Sequence, residues 1–146
     1  MRCLRRCALM FPLSAAISFL AVSCAPTKSS QCSQIIQIAN EAGSEASKLT
    51  DAGENKNRSA LLQAADTMEQ AAQDMKALET QDKQLQEYQA GFIRMYRAYS
   101  QATREMLKAR KDHSLSAAKA AREEVQQAGR LEKQLVTGIN NYCHQS

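Results

Sequence analysis

The chain has 146 residues, enough for one domain and too few for two of ordinary size. Residues that favour helices dominate after residue 30 and Trp is absent, so the composition favours an all-α fold. The formal charge of +4 does not describe the whole chain evenly, because Arg2, Arg5 and Arg6 at the N-terminus account for 3 of the 19 Lys and Arg. The rest of the chain has 16 Lys and Arg against 15 Asp and Glu, a net charge near +1. A balance so close to zero does not indicate a nucleic-acid partner.

The N-terminus has the pattern of a bacterial export signal. Three arginines fall within Met1–Arg6, and Ala8–Val22 is apolar apart from Ser14 and Ser18. Such a run is shorter than the roughly 20 residues that a membrane-spanning helix needs. We therefore predict a signal peptide over residues 1–23.

The segment Leu20-Ala21-Val22-Ser23-Cys24 resembles the lipobox of bacterial lipoproteins. In that family the cysteine receives a diacylglycerol and becomes the new N-terminus, which implies lipid attachment at Cys24. The usual Leu three places before the cysteine is Ala21 here, so ordinary signal cleavage with soluble secretion stays an alternative, and an uncleaved anchor is a third. Residues 24–31 are interpreted as a short tether and residues 32–146 as the folded domain.

Four apolar stripes with helical spacing follow the tether. They comprise Ile35, Ala39, Ala42, Ala46 and Leu49; Leu61, Ala65, Met68, Ala72 and Met75; Leu85, Tyr88, Phe92, Met95, Tyr99, Ala102, Met106 and Ala109; and Leu115, Ala118, Ala121, Val125, Ala128, Leu131, Leu135 and Ile139. Breaks are predicted at 51–57, with Asn57 as a helix cap, at 79–82, where the second stripe would otherwise bury Glu79 and Asp82, and at 111–114.

Cys32 and Cys143 are the only cysteines after Cys24, and in an oxidising compartment a disulfide between them is the simplest interpretation. The residues lie at the start of the first predicted helix and at the end of the last. In an up-down bundle these points meet only when the number of helices is even. The sequence therefore predicts an antiparallel up-down four-helix bundle whose two ends are linked by a disulfide, with two unpaired thiols as the alternative.

No catalytic or cofactor-binding motif is present. The sequence contains no HExxH, CxxC, GxSxG, P-loop or GxGxxG pattern, and its histidines are His113 in a predicted loop and His144 in the C-terminal tail. We therefore expect no enzyme, no metal and no cofactor, although a catalytic carboxylate pair stays open in principle.

The third predicted helix carries basic residues on the side opposite its aromatic stripe. These residues are Arg94, Arg97, Arg104, Lys108 and Lys111. A solvated helix face explains them most simply, and the functional hypothesis is a surface for an acidic protein partner, reached electrostatically. The longer third and fourth helices are expected to end in a basic hairpin tip.

Three stretches resemble a group of small exported proteins of cyanobacteria, and they span Gln31–Asn40, Glu87–Tyr96 and Glu132–Cys143. The resemblance implies only a location in the periplasm or the thylakoid lumen, and it assigns no activity to the chain. We expect a non-catalytic, membrane-tethered protein that binds another protein at a membrane face. The alternatives are a periplasmic helper or chaperone-like protein with an apolar groove and, less favoured, a metal carrier or enzyme.

Overall fold

The computed structural model describes residues 26–51 and 58–144, which form four helices. They are α1 (Lys28–Asp51), α2 (Arg58–Ala77), α3 (Lys83–Lys111) and α4 (Leu115–His144). Consecutive helices run antiparallel and pack side by side, so the predicted four-helix bundle is confirmed. The predicted signal peptide, Cys24 and the cap at Asn57 lie outside the described residues.

A disulfide joins Cys32 near the start of α1 to Cys143 near the end of α4, with the Cα atoms 6.0 Å apart. The predicted disulfide is confirmed, and its position agrees with an even number of helices. Because both cysteines lie at one end, the lengths of the helices determine how far each reaches from it. Leu115 lies about 42 Å from Cys143 along α4, whereas Asp51 lies about 28 Å from Cys32 along α1.

The first helix begins earlier than expected, and this corrects part of the predicted tether. Lys28–Gln31 form its first turn, where the hydroxyl of Thr27 accepts a hydrogen bond from the backbone N–H of Ser30. Gln31 is buried, with 4% exposed, whereas the sequence predicts that it belongs to the tether. Its carboxamide bonds three backbone groups, and those bonds fix the start of the helix.

The breaks around α3 have clear local causes. The carboxylate of Asp82 accepts a hydrogen bond from the backbone N–H of Leu85 and caps the start of α3. At the other end, His113 has a φ of 51°, a left-handed conformation that ends the helix, and Ser114 caps α4 by accepting from the backbone N–H of Ala117. The predicted break at 111–114 therefore agrees with the structure.

The core is built on α3 and has few large side chains. Phe92, Ile35, Met75, Leu85 and Met95 are the largest fully buried side chains. Alanines occupy many of the remaining core positions, so the helices approach closely and each contact buries little apolar area.

Two positions of the fourth predicted stripe are wrong. Leu115 is 88% exposed and Val125 is 36% exposed, whereas the helical pattern predicts that both face the core. The reason is the way α4 packs. It packs mainly against α3, much less against α1 and, among the described residues, its backbone is not adjacent to that of α2. A helix that packs on one neighbour buries a narrow stripe, and Ala121, Ala128 and Ile139 occupy it.

Candidate functional site

The predicted basic surface is exposed on the outer side of α3, and we call it the basic stripe. It comprises Arg94, Arg97, Arg104, Lys108 and Lys111. Phe92, Met95 and Tyr96, which face the other way on the same helix, are buried. The stripe is thus a line of cations on the most deeply packed helix of the bundle, which holds the charges in a fixed arrangement.

Within the described ranges only one member of the basic stripe has an ionic partner in its own chain. Arg104 pairs with Asp66 of α2, and its Nε donates to the hydroxyl of Ser100 at 3.4 Å. Lys108 and Lys111 lie in the last turn of α3, where cations interact favourably with the helix dipole. That effect fades within one turn and does not account for Arg94 and Arg97.

The opposite charge lies on α1 and α2. A groove of about 710 Å³ runs between them, with Ile38, Ala42 and Ala71 on its floor. We call it the acidic groove, because four carboxylates and one lysine line it. They are Glu41, Glu45, Asp66, Asp74 and Lys48.

The acids of the acidic groove are mostly unneutralised. Glu41 accepts a hydrogen bond from the amide of Gln37 and Asp74 accepts one from the amide of Gln70, both at 2.8 Å, and these donors carry no charge. In the chain as described, Asp66 is the acid of this groove that forms an ion pair, with Arg104.

A smaller cavity of about 330 Å³ lies where α1 and α4 diverge from the disulfide end, and we call it the α1–α4 cleft. Phe92, Met95 and Tyr96 are buried beneath it. The hydroxyl of Tyr99 donates to Glu132 at 2.7 Å, and burial, with this carboxylate beside it, raises the pKa of the Tyr99 hydroxyl. Tyr99 therefore stays neutral at physiological pH and serves as a hydrogen-bond donor, not a base.

The disulfide end holds a polar network that joins α1, the α2–α3 turn, α3 and α4. Asp82 accepts hydrogen bonds from the hydroxyl of Tyr142, at 2.9 and 3.1 Å, and the ammonium of Lys28 lies 3.7 Å from the Tyr142 ring centroid. The backbone N–H of Leu85 is the main cause that lowers the pKa of Asp82. Gln31 accepts from the backbone N–H of Gln81 at 2.7 Å. This network supports the fold and positions no reactive group.

The predictions for individual residues divide into three groups. The disulfide between Cys32 and Cys143 is confirmed. The basic stripe is exposed as the helical pattern predicts, while its role stays a prediction. Cys24 is not among the described residues.

Sequence reasoning missed the acidic groove, the α1–α4 cleft and the buried Gln31. The charge pattern of α1 could have revealed the groove, since Glu41, Glu45 and Lys48 recur at helical spacing. Nothing in the sequence distinguishes Gln31 from the polar residues around it.

Among the described residues, no group of three or more His, Cys, Asp or Glu side chains is arranged to hold a metal ion. None of the four helices is long and apolar enough to cross a membrane. No family model matches the chain, and no protein of known annotation and no solved structure is similar enough to count as a match.

Proposed function

We propose that this chain is an exported, lipid-anchored helical protein that binds an acidic surface of another protein at a membrane face. The pattern of an export signal over residues 1–23 supports export, and the lipobox-like segment ending at Cys24 supports attachment to a membrane. The periplasm or the thylakoid lumen of a photosynthetic bacterium is the compartment that the resemblance to exported cyanobacterial proteins implies. The disulfide agrees with an oxidising compartment.

The observation that carries the binding role is the basic stripe. Like charges three or four residues apart on a helix destabilise it by about 0.2–0.5 kcal/mol per pair. Arg94 with Arg97, and Arg104 with Lys108, are such pairs on the outer face of α3. An acidic partner would remove this repulsion and would be attracted from a distance, which raises the association rate.

The α1–α4 cleft favours the second candidate function, a helper or chaperone-like protein that holds an apolar segment. Its aromatic lining suits such a ligand. The large side chains beneath the cleft are nevertheless buried, and the exposed large apolar residues Leu115, Val125 and Val136 are scattered along α4. Isolated apolar residues of this kind are common on soluble surfaces. We therefore place this function second.

The first test is cross-linking and co-purification from native membranes, with the normal chain and a Cys24→Ala variant. We expect a stoichiometric protein partner with the normal chain and its loss with the variant, which lacks the lipid attachment site. Recovery of only the single, uncross-linked chain in both cases, with neither another protein nor a second copy attached, would refute the proposed function.

The second test reverses charge on the basic stripe. The variant Arg94→Glu, Arg97→Glu and Lys108→Glu leaves Arg104 and its ion pair with Asp66 intact. We expect the fold to persist and the salt-sensitive interaction with the partner to disappear.

The matched control changes the net charge equally at exposed positions elsewhere. It carries Lys76→Glu, Arg130→Glu and Lys133→Glu. Circular dichroism confirms that both variants fold. Equal partner binding by the two variants would contradict a role for the basic stripe.

A further inference from the structure

The nearly neutral net charge of the domain hides a division between its two hairpins. Residues 28–82 include five Lys and Arg and nine Asp and Glu. Residues 83–144 include eleven Lys and Arg and six Asp and Glu. The hairpin of α1 and α2 is therefore acidic and the hairpin of α3 and α4 is basic. A chain with this distribution is electrostatically complementary to another copy of itself.

The two charged surfaces lie at the same distance from the disulfide end. Asp82 at the start of α3 accepts a hydrogen bond from Tyr142, which adjoins Cys143, and Cys143 is bonded to Cys32 of α1. Distances along α1 from Cys32 and along α3 from Asp82 therefore start at the same end of the bundle and can be compared. Glu45 lies about 20 Å beyond Cys32 along α1, and Arg94 and Arg97 lie about 18 and 22 Å beyond Asp82 along α3. Glu45 thus lies at the height of Arg94 and Arg97 within a single helical turn, and Glu41 lies about one turn nearer the disulfide end.

This match in height is compatible with lipid anchoring. Copies that are anchored in one membrane through the segment before Lys28 stand parallel, with their disulfide ends toward the bilayer. Parallel neighbours meet at equal heights. The acidic groove of one copy can then face the basic stripe of the next.

The acidic groove also has the shape that such a contact needs. Its floor of Ile38, Ala42 and Ala71 provides apolar area, and the carboxylates of Glu41, Glu45 and Asp74 surround it without ion pairs in the described chain. The four-carbon and three-carbon stems of Lys and Arg can lie on apolar surface while their charged groups reach carboxylates.

We infer that the acidic groove binds the basic stripe of a second copy of this chain. The inference rests on the proposed binding role of the basic stripe and identifies the partner. Groove and stripe are different surfaces of one molecule, so the contact is heterologous and continues into a row or closes into a ring in the membrane plane. The lipid anchors raise the effective concentration of the copies and compensate for the weakness of exposed ion pairs.

The test is an exchange of charge between the two surfaces. One variant carries Glu41→Lys and Glu45→Lys, and the other carries Arg94→Glu and Arg97→Glu. Lipidated chains labelled through Gln127→Cys on exposed α4 are placed in phosphatidylcholine vesicles, and energy transfer between donor and acceptor copies is measured against salt concentration. The zwitterionic lipid avoids attraction between the stripe and the bilayer.

We expect the normal chain to associate in a salt-sensitive way and each variant alone to associate about tenfold more weakly. An equal mixture of the two variants should regain association, because each groove then meets a stripe of opposite charge. Melting curves followed by circular dichroism show that both variants fold, and Glu41→Gln with Glu45→Gln gives an intermediate loss. No association of the normal chain, or no recovery in the mixture, would overturn the inference.

The same variants separate this inference from the proposed function. If the Glu41→Lys and Glu45→Lys chain still captures a different protein from native membranes and copies do not associate, the self-contact is wrong and the binding role of the stripe stands. If reversal of Arg94 and Arg97 changes neither capture nor association, the proposed function itself fails.

Discussion

Removing the disulfide is the most direct test of how this fold is stabilised. Cys32 and Cys143 are separated by 111 positions, and closing a loop of that length stabilises the folded state by about 5 kcal/mol at 25 °C in the chain-entropy account. A domain of this size has a total free energy of unfolding of about 6–17 kcal/mol. We therefore expect Cys32→Ala with Cys143→Ala to lose roughly 30% or more of the unfolding free energy, because the alanine-rich core offers little other stabilisation.

The assay is guanidinium unfolding followed by far-ultraviolet circular dichroism, on residues 24–146 with Cys24→Ser, so that Cys32 and Cys143 are the only cysteines. The oxidised chain should show the larger unfolding free energy and a smaller dependence on denaturant, since its cross-linked unfolded state exposes less surface. Reduction of the normal chain should reproduce the double variant. A difference below about 1 kcal/mol, with equal denaturant dependence, would refute the reasoning.

Three further predictions concern local packing and the disulfide end. Gly138→Ala would place a methyl carbon 2.8 Å from the Tyr88 ring, and we expect a loss of about 1–3 kcal/mol in thermal melts, whereas Gly43→Ala meets nothing within 4 Å and should gain about 0.5–1 kcal/mol. The pKa of Asp82 is lowered in the folded state, so the ionised carboxylate stabilises the fold fully above the ordinary value of 3.8, and this stabilisation is lost as the pH falls through the lowered pKa. Asp82→Asn should therefore flatten the acid dependence of the melting temperature. Asp82→Ala should do the same and should also remove the cap of α3. Gln31→Ala leaves two backbone N–H groups of the α2–α3 turn without their acceptor and should cost about 1–3 kcal/mol in denaturant unfolding, and no measurable cost would show that water replaces the side chain.

The number and order of the helices could be predicted because two independent patterns agree. The apolar stripes have helical period, and the break at 79–82 follows from phase alone, since continuing the second stripe would bury Glu79 and Asp82. The positions of Cys32 and Cys143 require an even number of helices if they bond. The structure agrees on both counts.

The burial of individual residues could not be predicted as well, because the helical period of the apolar residues does not determine how many neighbouring helices a helix packs against. Leu115 and Val125 fit the fourth stripe, yet α4 packs mainly on α3 and leaves both exposed. For Gln31 the error is the reverse, since a residue expected in solvent is buried. A polar residue in a Ser-rich segment is ordinarily solvated, and its burial depends on backbone groups of the α2–α3 turn, which lie far away in sequence.

The basic stripe and the acidic groove illustrate the same limit at the level of function. The outward position of Arg94 and Arg97 follows from the helical period of α3, since their neighbours Phe92 and Met95 form its core face. The groove depends on which helices become neighbours and on how closely Ala42 and Ala71 allow α1 and α2 to approach. Tertiary packing decides this, so composition and period alone do not reveal it.

The arrangement at the disulfide end explains how a domain with so much alanine in its core could tolerate a tether. The disulfide joins α1 to α4, Gln31 ties α1 to the α2–α3 turn, and Asp82 ties that turn to Tyr142 of α4. A pull on the proposed tether before Lys28 would therefore be shared by α1, the α2–α3 turn and α4 through these bonds. The charged surfaces lie further along the helices, where they are unaffected by these bonds and open to a neighbour. The proposed anchor and the proposed binding surfaces thus occupy separate parts of the bundle, so substitutions on the basic stripe or in the acidic groove leave the bonds of the disulfide end in place.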